Sequence, residues 1–133
     1  MPTVIRRSEI TLTEKRREIL HAVGWQVMPN LWSPPTDIFE TEKAYIVRVE
    51  VAGMRDADFE ITLEDGNLFI NGIRPDVPER RAYHQMEIRF GKFSTVIAIP
   101  GPVDLEKSEA EYKDGFLSVT LPKQKPTNVK VEE

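Results

Sequence analysis

The sequence predicts an all-β domain, and three observations carry that prediction. Segments of strand length alternate apolar and polar residues. In AYIVRVEV, Tyr45, Val47, Val49 and Val51 share one side, and Ile46, Arg48 and Glu50 share the other. In DFEITLED, Phe59, Ile61 and Leu63 stand apart from Asp58, Glu60, Thr62 and Glu64. Two Asp-Gly pairs, Asp65-Gly66 and Asp114-Gly115, sit between such segments, as hairpin turns do. Turn residues recur at short intervals throughout, which is the spacing of a sandwich or barrel.

The elements follow in chain order. Residues 1–34 form an arm. Its TLTEKRREILHAVGW stretch carries the residues of a capping box, Thr11 to Glu14, and an apolar face of Leu12, Ile19, Leu20, Val23 and Val27. This predicts one short amphipathic helix ending near Gly24. So short a helix has little stability by itself and must bury its stripe against something. MPNLWSPP then breaks helix and gives an extended linker. Residues 35–122 hold the strands. After AYIVRVEV and DFEITLED, the turn at Asp65-Gly66 leads into NLFINGI as the return strand. RPDVPERRAYHQ, with two prolines and several charges, is a long excursion. MEIRF, KFSTVIAI, SEAEYKD and FLSVTL supply further strands. Residues 123–133 form a polar tail that Pro126 keeps extended and that carries Val129 and Val131 among charges.

The 133 residues suffice for one domain with a real core plus arms. With 40% hydrophobic and 30% charged residues the chain reads as globular, and a net charge of −4 argues against nucleic acid as main partner. There is no cysteine, which removes disulfides and thiol catalysis. No apolar run is long enough to span a bilayer and the N-terminus lacks a signal-peptide core, so a cytoplasmic location is expected.

A catalytic reading finds little to build on. The two histidines, His21 in the arm and His84 in the charged loop, form no metal-spaced pair, so neither metal nor other cofactor is expected. The carboxylates alternate with apolar residues along strands, the pattern of a solvated sheet face. Ser94, Ser108 and Ser118 lack a nucleophile-elbow context. The expectation is a protein that is not an enzyme.

Several blocks, in order, resemble the small heat-shock proteins, the α-crystallin domain family. Ala110, Asp114, Gly115, Phe116 and Leu117 are similar to its A-x-x-x-N-G-V-L signature. SPPTDIFETEKAYIVRVEVAGM is similar to its P-x-x-D-I-x-E-T and V-E-L-A-G-M segments. NLFINGIR resembles its L-x-I-x-G-x-R strand, and YHQMEIRFGKFSTVIAIP its Y-x-x-x-E-x-x-x-G-x-F stretch. The likeness covers about residues 32–131. Asp114 replaces the usual Asn, and Gln85, Thr95 and Val96 replace basic residues common in the family. Arg89 does match a commonly basic position and is a candidate for a dimer ion pair.

The resemblance implies an immunoglobulin-like β-sandwich and an ATP-independent holdase that binds partly unfolded clients and suppresses their aggregation. It implies a homo-oligomer of the bacterial and plant type. There Tyr83, His84, Gln85 and Met86 would form an exchanged strand received by Asp37, Ile38 and Phe39 of a neighbour. It also makes Val129 and Val131 an I-x-I/V-like anchor pair. Their groove would lie between DFEITLED and SEAEYKD, lined by Ile61, Leu63 and Ala110. Leu12, Ile19, Leu20, Val23, Trp25 and Trp32 become candidates for client or oligomer contact, with packing on their own domain as the alternative. A β-sandwich co-chaperone adaptor with one dedicated partner is the alternative function. A hydrolase lacks any candidate triad.

Overall fold

A computed structural model describes residues 4–7, 10–13 and 31–125 of the chain. Among the described residues nine strands run as β1 (Val4–Arg7), β2 (Ile10–Thr13), β3 (Thr36–Glu40), β4 (Ala44–Glu50), β5 (Phe59–Glu64), β6 (Asn67–Arg74), β7 (Gly91–Ala98), β8 (Glu109–Lys113) and β9 (Phe116–Pro122). They form two sheets. One has the order β1-β2-β5-β6-β7 and the other β3-β4-β9-β8. Among these nine strands the pairings are antiparallel except that of β2 with β5.

The core lies between the sheets and is built from the alternation seen in sequence. Tyr45, Val47 and Val49 of β4 meet Leu117, Val119 and Leu121 of β9 across the same ladder. Phe59, Ile61 and Leu63 of β5 face the same interior with Leu68 and Ile70 of β6 and Phe93 and Ile97 of β7. Both expected hairpins form, with Asp65-Gly66 joining β5 to β6 and Asp114-Gly115 joining β8 to β9. All four turn residues have φ between 50° and 84°, the left-handed region that Asp tolerates and Gly enters freely. Gly72 serves a different need. A Cβ there would lie 2.8 Å from the Asp58 carbonyl oxygen and run into the Phe93 ring. Phe93 can therefore fill the centre of the sandwich.

Three expectations are corrected. A helix does not start at Thr11: Thr11 and Leu12 lie in β2, paired with β1 and, at Leu12 and Thr13, with Ile61 and Thr62 of β5. The ITLT segment is rich in β-branched residues, and an unpaired sheet edge outbids a capping box there. MEIRF forms no strand; residues 86–90 are exposed coil. The outer side of β5 is solvated only in part, because Glu60 is exposed whereas Thr62 and Glu64 are buried. Gly24 and the remaining helix residues from Glu14 to Val27 lie outside the described residues.

Candidate assembly interface

β3 is an edge strand, paired with β4 on one side and bare on the other among the described residues. Two features hold it in place. Thr36 Oγ1 donates to the Pro34 carbonyl at 3.0 Å and lies 3.3 Å from Thr95 Oγ1 of the opposite sheet. Arg48, directly across from Asp37, sits 3.6 Å from its carboxylate and lies over the Phe39 ring at 5.5 Å. The pair is exposed, so it contributes little to stability. Ile38 and Phe39 are 39% and 41% exposed. The expected receiving edge, Asp37, Ile38 and Phe39, is therefore a strand with open backbone groups and unburied apolar side chains.

Residues 75–90 form the long excursion. Val77, Tyr83, Met86 and Ile88 are exposed along it, an unusual density of apolar surface for a loop. Polar contacts within the loop are local. Arg81 bridges Asp76 at 3.3 Å and Glu79 at 3.5 Å, and donates to the Tyr83 hydroxyl at 3.0 Å. The Tyr83 hydrogen bond is the main influence raising the Arg81 guanidinium further above its usual value. Gln85 donates to Glu87 at 2.8 Å. His84 is exposed.

The base of this loop is pinned by Arg74, which sequence reasoning missed. Its Nε donates to the Arg89 carbonyl at 2.8 Å, a second guanidinium nitrogen reaches the same oxygen, and Nη1 donates to the Ala52 carbonyl at 3.4 Å. The guanidinium also lies over the Trp32 ring at 4.5 Å and the Phe90 ring at 5.2 Å. Partial burial lowers its pKa somewhat, yet an Arg remains charged at any physiological pH. It thus closes the loop's two ends with charge-assisted hydrogen bonds and two cation–π contacts. The signal in sequence was one arginine at the end of NLFINGIR, and its partners, Trp32 and Phe90, are distant in the chain. Beside it lies an open cleft of about 570 Å³, bordered by Trp32, Glu50, Ile88, Arg89 and Phe116 among others. Arg89 therefore enters the interface region through its carbonyl and its place on the cleft wall.

Trp32, expected with the arm, packs on its own domain: its ring is 5.4 Å from Phe93 and Nε1 donates to the Gly91 carbonyl at 3.3 Å. Ile61, Leu63 and Ala110 are all buried in the core cluster, β2 runs along β5, and β1 and β2 both reach β8. Val129, Val131, Ile19, Leu20, Val23, Trp25 and His21 lie outside the described residues. Among the described residues no group of His, Asp and Glu is placed to hold a metal ion, and no helix is long and apolar enough to cross a membrane.

Comparison with known proteins then gives a consistent result. Residues 37–133 match the model of the Hsp20/alpha crystallin family. Small heat shock protein C4 of Rickettsia felis is 35% identical over 100 residues, covering 74% of this chain and 61% of that protein. The 17.7 kDa class II heat shock protein of Arabidopsis thaliana is 35% identical over 122 residues, covering 89% of this chain and 78% of that one. Among solved structures, heat shock protein 16.0 from Schizosaccharomyces pombe superposes with a TM-score of 0.64 at 30% identity, over 80% of this chain and 78% of that one. The chain spans about three fifths of the Rickettsia protein's length.

Proposed function

Since the chain belongs to the Hsp20/alpha crystallin family, we propose that it is an ATP-independent holdase chaperone working as a homo-oligomer of strand-exchanged dimers. The observation that carries this reading is the pairing of two unfilled surfaces. The β3 edge leaves Ile38 and Phe39 exposed, and the 75–90 loop leaves Tyr83, Met86 and Ile88 exposed. Open edges with apolar side chains invite strand addition, and a neighbour's loop segment Tyr83–Met86 laid along Asp37–Phe39 covers both symmetrically. Arg74 directs the loop by fixing its ends, and Arg89 stands at that base. The domain is taken as immunoglobulin-like, with clients meeting apolar surface that strand exchange leaves uncovered.

The tail extends this scheme. Val129 and Val131 would point to one side of an extended segment and enter the groove between β5 and β8, with Lys130 facing water. β2 runs along the β5 edge at that place, so the tail of another dimer and the β1–β2 hairpin compete for it. A valine offers about 0.8 kcal/mol less burial than an isoleucine, which makes a looser latch.

Holding without turnover follows from binding: a chaperone that binds non-native chains shifts populations by mass action and supplies no energy for refolding. The test is heat aggregation of an unrelated enzyme, followed by light scattering without ATP. Suppression near stoichiometric ratios is expected. No suppression at any temperature tested, together with one tight partner in pull-downs and a monomeric mass, would establish the adaptor reading instead.

A further inference from the structure

The 75–90 loop leaves β6 after Arg74 and returns to β7 at Gly91, and these two residues form the last rung of the β6–β7 ladder. Just before that rung the returning chain, residues 86–90, is coil. Two side chains fasten it. Arg74 donates from Nε and from a second guanidinium nitrogen to the Arg89 carbonyl. Trp32 donates from Nε1 to the Gly91 carbonyl at 3.3 Å. Phe90 lies between those two carbonyls in sequence, and its ring sits 5.2 Å from the Arg74 guanidinium. Gly91, at φ 89°, turns the chain there as only glycine does freely.

The two fasteners touch each other: the Arg74 guanidinium lies over the Trp32 ring at 4.5 Å. They come from different parts of the chain. Trp32 is seated on the free edge of β7, where its N–H donates to the Lys92 carbonyl at 3.3 Å and its carbonyl accepts from the Ser94 N–H at 3.0 Å. Its ring packs on Phe93 in the core at 5.4 Å. Trp32 is thus placed by β7, and Arg74 takes its place from Trp32. An arginine side chain has many rotamers, and an aromatic face together with a carbonyl selects one of them. The remaining contact of the guanidinium, from Nη1 to the Ala52 carbonyl, is long at 3.4 Å and leaves its plane to be set by the ring.

We propose that the stacked Trp32–Arg74 pair couples the seating of residues 31–35 on β7 to the fastening of the loop exit at residues 89–91. With Trp32 seated, the guanidinium is held over its ring and the exit is closed. When Trp32 leaves β7, the Gly91 carbonyl loses its side-chain donor and the guanidinium loses its platform. Arg89 and Phe90 then come free with it. Unseating therefore exposes two aromatic rings at once, Trp32 and Phe90, and loosens the loop by the same event. One guanidinium touches both parts, so the coupling through it is reciprocal.

Trypsin reads this coupling in the full chain, because it cuts after arginine and the Arg89 carbonyl is itself at the scissile bond. Cleavage after Arg89 requires release of that carbonyl, and its rate follows the open population when opening is fast. Cleavage after Arg81, in the same loop but away from the Trp32–Arg74 pair, reports general loop exposure and any loss of neighbouring chains. Cleavage after Arg48, in a strand paired on both sides, reports unfolding of the domain. Arg74→Met and Trp32→Leu should each speed cleavage after Arg89 by about tenfold and leave the other two sites at the parent rate. The double variant should stay near tenfold and not approach about a hundredfold, because contacts made through one shared group are not additive. Trp32→Phe keeps a ring beneath Arg74 and loses the bond to Gly91, so its effect should be smaller. It replaces Trp32→Leu, double variant included, if faster cleavage after Arg48 shows that the leucine chain unfolds. Parent-rate cleavage after Arg89 in both Trp32 variants, or effects that multiply in the double variant, would overturn the proposal. So would an equal rise after Arg81, or a rise after Arg48 in Trp32→Phe as well. The readout lies outside Tyr83–Met86, so it holds or fails whatever becomes of the strand exchange.

Discussion

The two sheets manage their edges differently. In the five-stranded sheet the edge of β5 is covered by β2 of the same chain, in register from Leu12 with Ile61 to Thr13 with Thr62. In the four-stranded sheet β3 is bare on its outer side among the described residues, and it carries Ile38 and Phe39 outward. Bare edges promote uncontrolled pairing, and proteins blunt them with charge, proline or cover. Asp37 and Arg48 supply some charge at β3, yet the apolar pair remains. The contrast separates an edge closed within the chain from one left open, and the proposed strand exchange would fill the open one with a neighbour's 75–90 loop.

The largest expected effect breaks the open edge. Phe39→Lys places a charge where an exchanged strand must lie, and dimerisation should weaken by at least tenfold while circular dichroism stays that of the parent. Mass measured by light scattering over a dilution series checks this. An unchanged mass would mean that β3 receives no strand. Next is the double change Val129→Ala with Val131→Ala, which removes about 3 kcal/mol of burial at most from each tail latch. Oligomers should fall to dimers without loss of dimers. Native mass spectrometry distinguishes that outcome from an unaltered assembly, which would return the valines to the tail.

Gly72→Ala tests the shared interior instead of an edge. The added carbon meets Phe93 and the Asp58 carbonyl, so the fold should lose about 1–3 kcal/mol, read from urea unfolding. The smallest effect belongs to the outer side of β5. Thr62→Val replaces a buried hydroxyl lacking a partner among the described residues and should be neutral or stabilise by about 1 kcal/mol. A clear loss would show that this hydroxyl is bonded by chain outside the described residues.

Much of this was legible from residues near one another in the chain. Tyr45, Val47 and Val49 face the core because a strand alternates, and Asp65-Gly66 turns because both residues accept positive φ. What escaped depends on distant partners. ITLT resembles a capped helix start until the free edge of β5 is present to receive it. Thr62 and Glu64 alternate with apolar residues as a wet face would, yet both are buried in the folded chain. MEIRF has strand composition but pairs with no strand among the described residues. Arg74 gains its importance from Trp32 and the Arg89 carbonyl, neither of which its neighbours in sequence announce.

The strand exchange is most directly tested by engineered disulfides, because the chain has no cysteine of its own. Ile38→Cys is combined in turn with cysteine at Tyr83, His84, Gln85 and Met86, and each chain is oxidised at low concentration. A disulfide forms readily when the two Cα atoms come within about 4.4–6.8 Å. The account predicts a covalent dimer on a non-reducing gel for at least one of the four pairs, absent from the corresponding single variants. Four monomers, with or without an intrachain disulfide, would contradict it.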